Sequence, residues 1–140
     1  MTWKDITAAF AEAASSGRGP NIRAFSDEGV YILNDRDRWK MNYATVILDL
    51  QGATVEMDTT TYNVMLWYID RQREDRTDIN EIISEAIATL SEMSHFVSNN
   101  ADGIFIAAPS TATPFQDRFA DECAGASLSL AITTLNTAIC

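Results

Sequence analysis

Seven apolar residues between positions 78 and 95 fall on one helical stripe: Ile79, Ile82, Ile83, Ala86, Ile87, Leu90 and Met93. Steps of three and four place them on a single face of an amphipathic helix, with Glu81, Ser84, Glu85, Thr89 and Glu92 opposite. Asp78 stands at the N-cap position, and Glu81 three residues later makes an Asp-x-x-Glu variant of the capping box. Such a stripe needs apolar cover, and the flanking segments supply the pattern of a sheet. The helix is expected to pack Ile82, Ile83, Ile87 and Leu90 onto Val46, Leu48, Leu66 and Tyr68, with Leu128 and Ile132 from the last strand.

A first helix is predicted from Thr2 to about Ser15, with Trp3, Ile6, Phe10 and Ala13 on one face. Gly17, Gly19 and Pro20 end it. Short strands are predicted over 22–25 and 29–33, with Asp27 and Glu28 in the turn between them. Residues 44–50 are β-branched and apolar, a strand. A turn is expected at 51–53, an extended piece at 54–57 and a second turn at 58–60. Residues 61–70 form the longest expected strand, apolar on both faces: Tyr62, Val64, Leu66 and Tyr68 on one, Met65, Trp67 and Ile69 beside Asn63 on the other. A strand of this kind is covered on both sides, and in so short a chain a neighbouring subunit can supply the second cover. After the helix, which is expected to stop near His95-Phe96-Val97, come a strand from Ile104, an unassigned stretch around Pro114 and a final alternating strand through Leu128, Leu130 and Ile132. The order reads helix, four strands, helix, two strands. It predicts one α+β domain over residues 1–140, a mostly antiparallel sheet whose two helices share one face.

Composition narrows the functional classes. The 140 residues carry ten Lys and Arg against twenty Asp and Glu, a net charge of −10, which disfavours a surface that grips nucleic acid. Mean hydropathy is near zero at −0.09, and no apolar run reaches the ~18 residues of a membrane span. The opening residues lack the layout of a signal peptide, so the expectation is assembly in a cytoplasm and no membrane partner. The two cysteines, Cys123 and Cys140, are too few for a disulfide framework or a zinc site.

Chemistry is sparse. The single histidine, His95, sits where a helix C-terminus favours an imidazole, and no nucleophile pairs with it. Glu81 and Glu85 lie one turn apart on a solvated face with nothing to raise either pKa. No phosphate loop, Gly-x-Ser-x-Gly or His-Glu-x-x-His motif occurs. The alternating charges of 34–40 lack the central glycine and closing glutamate of a calcium loop. The reading is a protein without catalytic, cofactor-binding or metal-binding residues. Large apolar residues beside charged loops are instead candidates for subunit contacts: Trp39 and Met41, with Trp67, Phe115 and Phe119.

Pro114-Phe115, then Arg118-Phe119 and Asp121, then Gly125, an alternating strand, Asn136 and Cys140 form the closing pattern of the chain. This pattern resembles that of small virion proteins from crAss-like and related Bacteroidetes phages, as does the opening Met1-Thr2-Trp3-Lys4-Asp5-Ile6. The Ala124-Gly125-Ala126 region is smaller, and the last strand richer in Ser and Ala, than that pattern leads one to expect. The resemblance implies a tail-terminator-like fold and a place in the virion, as one subunit of a hexameric or dodecameric ring in the neck or tail. It implies as partners further copies of the chain and other neck, portal or tail proteins, with DNA passing through the ring unbound. Carboxylates would then line the passage, the candidates being Asp27, Glu28, Asp58, Glu74, Asp75 and Asp102. The competing expectation is a soluble, non-enzymatic adaptor or assembly chaperone that docks one protein partner.

Overall fold

A computed structural model describes residues 3–15, 24–26, 44–71, 77–100, 103–106, 111–118 and 123–135. In chain order these form α1 (Trp3–Ser15), β1 (Ala24–Ser26), β2 (Thr45–Val55), β3 (Thr59–Arg71), α2 (Ile79–Asn100), β4 (Ile104–Ile106), β5 (Thr111–Arg118) and β6 (Cys123–Leu135). The strands make one six-stranded sheet in the order β1-β2-β3-β6-β4, with β5 also paired to β6. Only the β1–β2 pair is parallel; the fold is α+β with a mostly antiparallel sheet and two helices.

Both helices lie on the same sheet face. Ile6, Phe10 and Ala13 of α1 share one core with Ile79, Ile82, Ala86, Leu90, Met93 and Val97 of α2. Their sheet partners are Val46 and Leu48, Val64, Leu66 and Tyr68, and the even-numbered residues of β6 from Ala124 to Ile132. The period-2 alternation of each strand and the helical stripe thus meet as their spacing requires. Asp78 occupies the N-cap position: its carbonyl accepts the first helical bond, 2.9 Å from the Ile82 amide. Trp3 of α1 leans on Tyr62 of β3, with ring centroids 5.7 Å apart.

Several expectations change. Ile87 does not join the core but is 40% exposed, while Thr89, assigned to the polar face, is buried. The helix runs through His95 to Asn100, because Val97 continues the Met93 step and finds the same core. The turn expected at 51–53 is an irregularity inside one long strand, where the β2–β3 register shifts between Leu50 and Gly52. The second turn falls at 56–58, closed by the Glu56 amide donating to the Thr59 carbonyl at 2.8 Å. Residues 111–118, left unassigned, form β5. The strand expected over 29–33 lies outside the described residues.

Gly125 is required where β6 passes between β3 and β5, opposite Ile69 on one side and Phe115 on the other. A Cβ there would collide with the Tyr68 carbonyl oxygen, come within 2.9 Å of its carbon, and lie 3.3 Å from the Phe115 ring. Gly103, at φ 83°, takes the left-handed conformation between α2 and β4.

Candidate functional site

The sheet face away from the helices is divided along its length. Ile47, Trp67, Ile69, Phe115 and Cys123 form a second buried cluster with Met65 packed against it. Trp67 and Phe115 touch, with centroids 5.6 Å apart and rings tilted by 59°. The two are thus buried within the chain itself, rather than displayed as the interface anchors expected of them. Trp39, Met41 and Phe119 lie outside the described residues. Toward the hairpin, the same face turns polar: Thr61 and Thr133 join hydroxyls at 3.0 Å, and Asn63 and Ser129 are exposed.

The hairpin end of the sheet has a different character. From Leu50 onward β2 is exposed on both faces apart from a half-buried Gly52. Val55 is 74% exposed and Met57, in the turn, 86%. The register puts Val55 beside Thr60, Thr60 beside Thr134 and Thr59 beside Leu135, while Phe105 pairs with Thr133. Leu135 and Phe105 are also largely exposed. Val55, Met57, Phe105 and Leu135 thus lie toward the hairpin end but not on one face: Val55 shares the helix-side face with Thr60 and Thr134, while Phe105 and Leu135 share the other with Thr133; Leu50, paired with Val64, lies mid-strand. Phe105 and Leu135 with Gly103, Thr133 and Thr134 also line a shallow cleft of about 260 Å³. Phe105 and Leu135, on one face beside the cleft, are the adjacent pair among them.

Sequence reasoning missed this end. The available signal was Met57 between Glu56 and Asp58, a large apolar residue held in a turn by two carboxylates. Of the six carboxylates proposed to line a passage, Asp58 is exposed at this turn and the other five lie outside the described residues. Among the described residues no group of three or more His, Cys, Asp or Glu side chains could hold a metal ion. No described helix is long and apolar enough to cross a membrane. Among the described residues the one strongly perturbed titratable group is Tyr68, whose phenol is pushed well above its ordinary range, first by burial and then by the charges of Glu85 and Asp70. It stands inside the core under α2, where it has no access to a substrate. No protein-family model and no curated protein matches the chain.

Proposed function

We propose that the protein is a virion structural component, a subunit of a homo-oligomeric ring in the neck or tail of a phage, of the tail-terminator or connector type. The observation that carries the assembly part of this reading is the hairpin end of the sheet, where Val55, Met57, Phe105 and Leu135 are each largely exposed. Leaving them exposed forfeits roughly 1.5–3 kcal/mol of burial for each large side chain, which contact with another protein recovers. The phage part rests on the resemblance of the Pro114–Asp121 stretch and the closing Asn136 and Cys140. The excess of carboxylates suits a ring around DNA, because a negative wall repels phosphates and lets the duplex slide.

Two measurements test the reading. Light scattering on the purified chain should give a mass that is a multiple of 15.5 kDa, rising with concentration toward a closed ring. Imaging of purified particles should then locate the chain between head and tail, in a ring whose inner wall carries more Asp and Glu than Lys and Arg. A chain that stays a monomer and binds one other protein would instead be the adaptor. A net basic wall, or an assembly without a channel, would refute the ring around DNA.

A further inference from the structure

We draw no further inference here: the strongest candidate, the exposed Phe105 and Leu135 pair beside the shallow cleft at the hairpin end of the sheet, carries nothing, because nothing in the structure shows what covers it.

Discussion

Replacing Tyr68 by Phe isolates a polar atom that the core holds without recompense. The ring is fully buried between β3 and α2, in the cluster that contains Leu66, Ala86 and Leu90, and its hydroxyl is buried without a hydrogen-bond partner among the described residues. A buried, unsatisfied hydroxyl costs about 1–3 kcal/mol, whereas the aromatic ring is retained in Phe. Tyr68→Phe should therefore leave stability unchanged or raise it by about 1 kcal/mol. The usual outcome of altering a large core residue is the reverse. Urea titration followed by the emission of buried Trp67 measures the difference. A second arm uses pH. Burial and the charges of Glu85 and Asp70 hold the phenol above its ordinary value, while in the unfolded chain it ionises near pH 10. The folded state thus keeps a proton that the unfolded state releases. The contribution is complete below pH 10 and is lost as pH climbs beyond it, reaching about 1 kcal/mol by pH 11. The parent should lose that much more stability than the Phe variant between pH 9 and 11. A Phe variant destabilised by more than about 1 kcal/mol at pH 7 would show that the hydroxyl has a partner. Parallel alkaline curves would show that the phenol ionises as readily in the fold as out of it.

The remaining predictions concern packing. Leu90→Ala should cost roughly 2–5 kcal/mol because the side chain is completely buried, and a cost below about 0.5 kcal/mol would mean α2 does not lie on the sheet. Ile87→Ala, one turn away on the 40% exposed side, should cost less than half as much; equal losses would place Ile87 in the core after all. Gly125→Ala should destabilise by at least about 1–3 kcal/mol in the same urea assay, since the added methyl meets the backbone of Tyr68. Trimming Phe115 to Leu should not rescue it, because the nearest atom is main chain rather than ring. Rescue would show that the ring, not the strand, sets the limit.

What the sequence determined by itself is what local periodicity can carry. The α2 stripe, the two-faced β3 and the alternation of β6 are each readable because side-chain direction follows from residue number within a regular element. Met93 to Val97 is one more step of four, which the expected end near His95-Phe96-Val97 includes, and the polar run after Val97 hides the last turn to Asn100. Position in the sheet was decided only in three dimensions. Pro114 breaks the look of a strand, yet among the described residues β5 pairs with β6 alone, where a residue without an amide hydrogen can face away from the ladder. Gln51-Gly52 looks like a turn, but the pairing of β2 with β3 continues across it, and the interruption becomes a shift in register. The second cover of β3 could not be foreseen either. Trp67 has the composition of an interface anchor, and it is buried instead because the register of β6 with β3 and with β5 sets Gly125 and Phe115 beside it. The exposed hairpin end has the same origin. Val55 and Met57 differ from core residues only in lying farther along the strands than the helices reach, a distance that follows from how the elements dock and not from the character of the residues.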